Sequence, residues 1–423
     1  MNKFLNIFKI PDLRKKVLMV LLLLLIFRLL AAIPVPGIDA ARLQQFLSLN
    51  QLFGFMNLFS GGGLSNLSIM MLGVGPYITA TIIMQLLTIV FPKLKKAYYE
   101  EGAAGQAKFN RISRFLTVPL AIFSGYGFLN LLMSQQVLPR LSFIELLNNV
   151  IIITAGSVLI MWIGELISEY KIGNGISLII FAGIVSRLPQ EVATALFNYN
   201  PQMLPTYIAF VVLSVIVIAG VVFVNEGERK IPVSYAKQVR GMKMYGGVST
   251  YLPLRVNQAG VIPIIFAISL LLFPQFFAQA ISIASPSLSI KLNTWVTGFF
   301  NNIPLYSLIY FVLVVLFTYF YTAITFDPGE ISKNLQRSGG FIPGIRPGQA
   351  TTDMIARITR RITLFGAVFL GVVAILPNIT QIVTGIQALT IGGTALLIVV
   401  AVALEIMKQI ESQLTVREYE GIF

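Results

Sequence analysis

The chain of 423 residues contains neither cysteine nor histidine. Cysteine is needed for a disulfide or a thiol nucleophile, and the two residues together supply the usual ligands of zinc and haem iron. Histidine is also the side chain that most often performs general acid–base catalysis near neutral pH. The sequence therefore predicts a protein that is not an enzyme and that holds no metal and no cofactor.

Charged residues are also scarce. Only 11% of the residues are charged, whereas 56% are hydrophobic and the mean hydropathy is +0.82. A soluble domain usually has a surface that is roughly 25–35% charged, and a disordered chain carries far fewer apolar residues. Soluble, disordered and disulfide-stapled extracellular proteins are excluded, so an integral membrane protein is predicted.

Ten apolar runs approach the roughly 20 residues that an α-helix needs to cross a bilayer core. The predicted helices are 17–35, 70–91, 114–134, 147–167, 176–196, 204–224, 257–280, 304–326, 362–382 and 386–407. The first run follows a basic start, as a cleaved signal peptide also would, but it is long and continues into Pro34-Val35-Pro36-Gly37. An even number of crossings places both termini on the same side.

The positions of Lys and Arg indicate which side this is, because basic residues are retained in the cytoplasm during insertion. Of the 31 basic residues, 26 fall on the face that carries the termini, 4 fall on the opposite face, and Arg28 lies inside the first helix. Both termini are therefore predicted to be cytoplasmic.

The cytoplasmic connection 327–361 contains signals for structure of its own. Asp327-Pro328-Gly329-Glu330 is typical of a helix start, and Gly339-Gly340 is typical of a helix end. The segment 341–348 that follows contains two prolines, which exclude a helix and stiffen the chain. Arg346 is predicted to lie on this rigid tip.

The connection 225–256 shows a different pattern, because Ile231, Val233 and Tyr235 alternate with polar residues as in a β-hairpin. Both connections are basic, and a basic surface suits ribosomal RNA, an acidic protein or anionic lipid. They are predicted to be cytoplasmic docking surfaces. The alternative is that their charge serves only to orient the chain in the membrane.

On the opposite face, the segment 57–68 is half apolar yet interrupted by three consecutive glycines. It is too short to cross a membrane, and glycine permits backbone conformations that other residues avoid. A re-entrant or plugging segment fits this pattern. An ordinary surface loop is the alternative.

Two helix starts share a motif, because the second helix begins with Gly73-Val74-Gly75-Pro76 and the seventh with Gly260-Val261-Ile262-Pro263. A weaker pair relates the fifth helix, at 175–180, to the tenth, at 393–398. The chain is therefore predicted to contain two halves of five helices, 1–200 and 201–423. An odd number of crossings in each half inverts one half relative to the other, and folds of this kind place their pathway on interrupted helices between the halves.

Branched aliphatic residues recur on these helices. Val74 and Ile78 are four residues apart and share a helix face, and so do Ile176 and Ile180. Near the middle of a membrane such side chains would form a seal. Contact with lipid or ordinary helix packing is the alternative.

The motifs resemble those of the SecY/Sec61-alpha family of protein-conducting channels. The resemblance is carried, in the order of the family, by the segments 73–83, 172–177, 255–263 and 341–348, and it runs from the first helix to the tail. It implies an all-α polytopic membrane protein with ten transmembrane helices in two inverted five-helix halves around a central, hourglass-shaped pore.

The resemblance also implies four groups of site residues. The pore ring would be Val74, Ile78, Ile176, Ile180, Ile265 and Ile398, and the plug would include Asn57, Phe59, Gly61, Gly62, Gly63, Leu64 and Asn66. The lateral gate would include Thr79, Ile83, Asn257 and Gly260, and the docking residues for a motor or ribosome would be Arg346, Arg229, Lys230, Lys237 and Arg240. Because the family often has isoleucine where Val74 stands, the ring would be slightly wider on that side.

The implied function is to translocate unfolded secretory proteins across the bacterial cytoplasmic membrane and to release apolar segments laterally into it. The implied partners are the small membrane subunits SecE and SecG, the SecA motor ATPase, the ribosome, signal peptides, unfolded client proteins and anionic lipids. An ATP-driven pump is excluded because the sequence has no Gly-x4-Gly-Lys-Ser/Thr loop.

An ion-coupled secondary transporter of a small solute is the alternative, since inverted repeats and broken helices occur there as well. Such transporters need ionisable residues near the middle of the membrane. The candidates inside the predicted helices are Arg28, Glu165 and Glu405. Both glutamates fall at the predicted cytoplasmic ends of their helices, where a charged side chain reaches water at little cost.

Overall fold

The computed structural model describes residues 10–35, 57, 60–64, 67–94, 102–134, 138–197, 201, 204–235, 238–240, 243–245, 249–281, 286–384 and 388–420. The helices are α1 (Pro11–Leu30), α2 (Gly75–Val90), α3 (Gly102–Ser134), α4 (Phe143–Glu169), α5 (Gly175–Phe197), α6 (Leu204–Glu226), α7 (Ile262–Ile281), α8 (Pro286–Asn301), α9 (Ile303–Thr325), α10 (Pro328–Arg337), α11 (Gln349–Thr384) and α12 (Ala388–Glu420). The strands are β1 (Glu228–Tyr235), β2 (Gln238–Arg240), β3 (Lys243–Tyr245), β4 (Ser249–Arg255) and β5 (Gly340–Phe341). Each predicted apolar run overlaps one of these helices.

Within the part of the chain that the structure describes, five helical segments are long and apolar enough to cross a membrane. They are Ala104–Asn130, Phe143–Glu169, Tyr207–Glu226, Ile303–Arg337 and Gln349–Ile382. Two shorter apolar helical segments are Gly175–Pro189 and Ile262–Gln275. The protein is therefore a mostly helical membrane protein with several apolar spans, and the arrangement of ten crossings in two inverted halves stays a prediction.

Several helices extend well beyond the apolar runs. Helix α3 begins at Gly102 rather than at 114, α11 begins at Gln349 rather than at 362, and α12 ends at Glu420 rather than at 407. Hydropathy reports the part of a helix that would lie in lipid, whereas backbone hydrogen bonding continues into polar sequence. The predicted limits therefore underestimate these helices.

The described chain forms two compact units. The first contains residues 1–205, 268–306 and 402–423, and the second contains residues 206–267 and 307–401, as far as each is described. The division of the sequence into halves at residue 200 concerns an internal symmetry, and it too stays a prediction.

Helix α4 is the scaffold of the first unit, where it contacts α1, α2, α3 and α5. Two glycines on α4 permit close approach. A methyl group on Gly156 would lie 2.0 Å from the carbonyl oxygen of Ile69, and one on Gly164 would lie 2.6 Å from Cδ1 of Ile176. A larger residue at either position would push the neighbouring segment away from α4.

The C-terminal end of α12 also belongs to the first unit. Leu414 is buried against Leu13 of α1, with Val17 and Ile410 packed around them. The side-chain amide of Gln413 donates a hydrogen bond to the carbonyl of Lys171. The tail of the chain is thus fastened to its beginning by apolar and polar contacts.

The second unit carries the three-stranded antiparallel sheet, in the order β4-β1-β5. Strand β1 pairs with β4 in a register that places Ile231 opposite Leu252, and Ser234 of β1 pairs with Phe341 of β5. The hairpin predicted for 225–256 is confirmed. The sheet joins that connection to 327–361, which the sequence did not predict.

A small apolar core lies beside this sheet. Its buried residues are Ile231, Val233, Leu254, Ile342 and Ile355. Ile331 and Leu335 of helix α10 pack against these residues. Both connections and the first turns of α11 therefore form a single folded body, which we call the cytoplasmic body because of its predicted location.

The predicted start of α10 is confirmed. Asp327 is the N-cap, and its Oδ1 accepts hydrogen bonds from the backbone N–H groups of Gly329 (2.7 Å) and Glu330 (3.4 Å). The helix ends at Arg337, and Gly339 adopts a φ of +72° that favours glycine.

The cytoplasmic body should depend on Ile355, which is completely buried. Replacing it by alanine removes buried methyl groups and leaves a cavity, at a cost of roughly 2–5 kcal/mol. We expect the Ile355→Ala variant to exchange backbone amide hydrogens faster in β1 and β4, as measured by mass spectrometry. Asp353→Ala, an exposed position on the same helix, is the control, and equal exchange in the two variants would contradict the assignment of this core.

Candidate functional site

The glycine-rich segment predicted as a plug is closed at its base by backbone hydrogen bonds. The N–H of Val35 donates to the carbonyl of Leu67 (2.8 Å), and the N–H of Ile69 donates to the carbonyl of Ile33 (3.0 Å). The chain that leaves α1 is thereby tied to the chain that approaches α2. Of the predicted plug residues, Phe59 and Asn66 lie outside the described residues.

The described part of the segment is folded by its own polar groups. Ser60 Oγ donates to the carbonyl of Asn57 (3.1 Å) and accepts from the N–H of Leu64 (3.0 Å). The N–H of Gly62 also donates to the Asn57 carbonyl (2.9 Å). Residues 60–64 are all buried, so the alternative of an ordinary surface loop does not fit.

Glycine is required at 61 for two reasons. Its φ of +62° lies in the left-handed region, and its backbone lies against two helices. A methyl group on Gly183 of α5 would lie 2.2 Å from Cα of Gly61, and one on Gly61 would lie 2.4 Å from Cζ of Phe27 in α1. The segment therefore packs between α1 and α5 at distances that only glycine permits.

The second predicted helix is interrupted at its start. Residues 67–74 form turns, so α2 begins at Gly75 and the predicted start at 70 is wrong. Gly73 has a φ of +57°, and Pro76 occupies the first turn of the helix. The apolar character of these turns concealed the break, although the spacing of glycine and proline is a signal that could have located it.

The seventh predicted helix has the same local geometry. Gly260 has a φ of +61°, α7 begins at Ile262, and Pro263 follows. In both places the N–H of an isoleucine two residues after the proline donates to the carbonyl of the valine that follows the glycine. These bonds join Ile78 to Val74 (3.0 Å) and Ile265 to Val261 (3.3 Å). This agreement supports the internal repeat, and it gives Ile78 and Ile265 equivalent positions.

The second pair of the repeat agrees less well. Helix α5 begins at Gly175, where Asn174 Oδ1 accepts hydrogen bonds from the N–H groups of Ile176 (3.0 Å) and Ser177 (3.3 Å). Gly393 lies inside α12, which begins at Ala388. Helix α5 therefore begins at its copy of the repeated motif, whereas α12 begins before its copy and continues through it.

Five of the six predicted ring residues are buried. In the first unit, Val74, Ile78 and Ile180 are at most 4% exposed, and in the second unit Ile265 and Ile398 are equally enclosed. Ile176 is partly exposed. Burial excludes lipid contact for these five side chains, so ordinary packing and a pore seal remain for them.

Two predicted gate residues organise the break before α7. The side-chain amide of Asn257 donates to Oδ1 of Asn225 (2.8 Å) at the end of α6 and to the carbonyl of Gly260 (3.1 Å). Asn225 was missed, because nothing in its local sequence distinguishes it from other polar residues at a helix end. On α2, Thr79 Oγ1 donates to the Gly75 carbonyl (3.0 Å), and Ile83 is half-buried.

The docking residues that the structure describes belong to the cytoplasmic body. Arg346 is exposed on a tip flanked by Gly344 (φ +82°) and Gly348 (φ +103°). The tip is held by Thr351 Oγ1, which donates to the Arg346 carbonyl (3.0 Å), and by Ser332 Oγ, which donates to the Gly348 carbonyl (2.9 Å). The guanidinium is therefore presented on a rigid base.

Arg229 and Lys230 are exposed on β1 of the same body. Arg240 lies in β2, but its side chain is outside the described part of the structure, and so is the whole of Lys237. Since β1 pairs with both β4 and β5, the two predicted docking loops present their charge on one body.

Glu165, one of the two glutamates considered for a transport site, is paired with a basic residue. Glu165 of α4 forms an ion pair with Arg114 of α3, with 2.6 Å between Oε1 and Nε. The ion pair is a contact between α3 and α4, so the position of Glu165 gives no specific support to the ion-coupled transporter.

Comparison with known proteins gives one consistent family. A profile of the SecY family matches residues 68–407. Proteins named protein translocase subunit SecY are similar over the whole chain: 43% identity in Mycobacterium bovis, covering 99% of that protein, and 44% in Thermus thermophilus, covering 97%.

Two solved structures share the fold at lower identity. One, described as the structure of a protein conducting channel, has a TM-score of 0.64 and 19% identity and covers 93% of this chain and 90% of its own. The other, described as Sec61 in a canine ribosome–channel complex, has a TM-score of 0.59 and 18% identity and covers 93% and 90%. The full-length relatives and the matched profile together show that this chain belongs to the SecY family.

Proposed function

We propose that the chain is the pore-forming subunit of a protein-conducting channel in the bacterial cytoplasmic membrane. It translocates unfolded secretory proteins and releases apolar segments laterally into the lipid. The observation that carries the proposal is the buried glycine-rich segment, which leads directly into an interrupted helix with aliphatic side chains on one face. The relatives named as translocase subunits support the same function.

The aliphatic ring of Val74, Ile78, Ile176, Ile180, Ile265 and Ile398 is the proposed seal. A translocating chain carries charged side chains. Placing one of them at the centre of a lipid bilayer costs a free energy of roughly 2.5–3.5 kcal/mol. A water-filled funnel removes this cost, but it must still retain ions. A narrow apolar constriction does so by dewetting, and branched aliphatics deform around any passing side chain.

The buried segment at 60–64 is the proposed plug. One solved structure of this fold, with a TM-score of 0.62 and 18% identity, is described as showing that the plug domain stabilises the closed state of the channel and maintains a membrane seal. In this chain the segment is compact, buried and held together by its own hydrogen bonds. We propose that it moves as a unit.

The cytoplasmic body is the proposed docking surface for the SecA motor and the ribosome. Its exposed Arg346, Arg229 and Lys230 suit an acidic protein surface or ribosomal RNA. Anionic lipid adds a second attraction for the same charge. The SecE and SecG subunits are the proposed membrane partners, and both termini are proposed to be cytoplasmic.

The first test reconstitutes the chain with its small subunits in vesicles. We expect a motor ATPase and ATP to drive import of an unfolded secretory protein, whereas an ion gradient alone should accumulate no small solute. In the Arg346→Glu variant this import should fall at least tenfold, because the reversed charge stands on the docking tip, while thermal stability should change little for an exposed residue.

Lys333→Glu is the matched control, since it reverses an exposed charge in the same connection. Solute accumulation would favour the transporter instead. Import within about twofold of the wild type in Arg346→Glu, at equal reconstitution, would disprove the docking role.

If the ring is the seal, polar substitutions in it should let ions leak through the closed channel. Asparagine at Ile180 or Ile398 would attract water into the constriction, so closed-channel ion conductance should rise and clients with defective signal sequences should be admitted. Ile179→Asn is the control, because Ile179 is also completely buried on α5 but lies outside the ring. Equal conductance in ring and control variants would show that these residues only pack the helices.

The lateral gate is testable because the chain has no cysteine of its own. Cysteine pairs that join Thr79 or Ile83 to Asn257 or Gly260 should form a disulfide if the Cα atoms come within about 7 Å. Oxidation should then block signal-peptide insertion and export, and reduction should restore both.

Each single-cysteine variant under the same oxidant provides the control for the gate experiment. Two results would contradict the gate: failure of every pair to cross-link, or an efficient cross-link that leaves export unchanged.

A further inference from the structure

Arg28 is a basic residue inside the first predicted apolar run, 17–35. It occupies the last turn of α1, and its Nη1 donates a hydrogen bond to the carbonyl of Gly61 at 3.1 Å. The two residues are 33 positions apart in sequence. A cation of the first helix is thus bonded to the backbone of the glycine-rich segment.

The glycine side of this bond is tightly packed, whereas Arg28 itself is exposed. A methyl group on Gly62 would lie 3.4 Å from Nη1 of Arg28 and 3.3 Å from Cδ of Arg187 on α5. The Gly61 backbone meanwhile lies against Phe27 and Gly183. Apolar contacts of this kind fix the distance of the segment from the helices, whereas the charged hydrogen bond also fixes its orientation.

Arg28 has two simpler roles to be weighed against this one. A cation in the last turn of a helix interacts favourably with the helix dipole, and a long side chain near a membrane surface reaches toward water. Neither role requires a partner outside the helix. The observed bond to Gly61 does, and a hydrogen bond to a charged group is among the stronger kinds.

We propose that Arg28 is a latch, a positioning residue that holds the glycine-rich segment in its buried position between α1 and α5. This proposal rests on the proposed function, because it assigns to Arg28 the hydrogen bond that holds the proposed plug. Opening then requires the Gly61 carbonyl to exchange Arg28 for another donor, such as water. Loss of this bond therefore makes it easier for the segment to leave its position.

The test uses Leu64→Cys, a completely buried position of the segment, as the single thiol in the chain. A membrane-impermeant maleimide added from the outer side should label it slowly in the otherwise unchanged channel. Arg28→Gln should raise the labelling rate about tenfold, since it removes a charged hydrogen bond. Arg28→Lys, which keeps the charge but offers a shorter reach, should fall between them.

Three controls accompany this measurement. Leu129→Cys, a completely buried residue of α3, should remain protected in every variant. Arg140→Gln removes an exposed positive charge predicted on the same side and should leave Leu64→Cys unchanged. Gly183→Ala, which places a methyl group against Gly61, should expose Leu64→Cys while Arg28 is intact.

The outcomes separate the latch from the proposed function. Unchanged labelling in both Arg28 variants overturns the latch whatever the channel does, and so does a parallel rise at Leu129→Cys, which would indicate general loosening. If labelling rises and closed-channel conductance rises with it, the latch and the plug are both supported. Faster labelling without any leak supports the latch but contradicts the plug as the seal.

Discussion

Backbone that is not helical must find its hydrogen-bond partners inside the protein when it lies within a membrane, and the rest of this site depends on that constraint. The segments before α2 and α7 satisfy it with turns and side-chain caps. Ser60 serves as both donor and acceptor in the first, and Asn257 bonds Asn225 and Gly260 in the second. The chain can therefore leave the helical conformation where a pathway requires it.

Glycine residues also let backbone segments of the first unit approach each other closely. Gly156 brings the turn at Ile69 against α4, a methyl group on Gly175 would lie 1.8 Å from the Gly164 carbonyl, and Gly183 brings α5 against Gly61. These contacts make α4 and α5 a rigid frame. The glycine-rich segment rests on that frame by van der Waals contact, which yields more readily to displacement than a hydrogen-bonded ladder would.

Features that depend on neighbouring residues in the sequence could be predicted from it. Helix positions follow from apolar length, and the N-cap at Asp327 and the alternation around Val233 are each confirmed. The starts of α2 and α7 were placed too early, because hydropathy does not distinguish an apolar turn from an apolar helix. The bond between Arg28 and Gly61 and the pairing of β1 with β5 could not be predicted, since they join residues far apart in the chain.

Helix α11 joins the cytoplasmic body to apolar sequence in one continuous helix. Helix α11 is continuous from Gln349 to Thr384, so its first turns, which hold Ile355 in the cytoplasmic core, and its apolar turns share one backbone. The tip at Arg346 is bonded to the same first turns through Thr351. A displacement of the tip would be passed to the first turns of α11, because a packed core transmits strain. Pro377 removes one backbone hydrogen bond near the far end of α11, which makes that point, and not the cytoplasmic end, the place where the helix bends most easily.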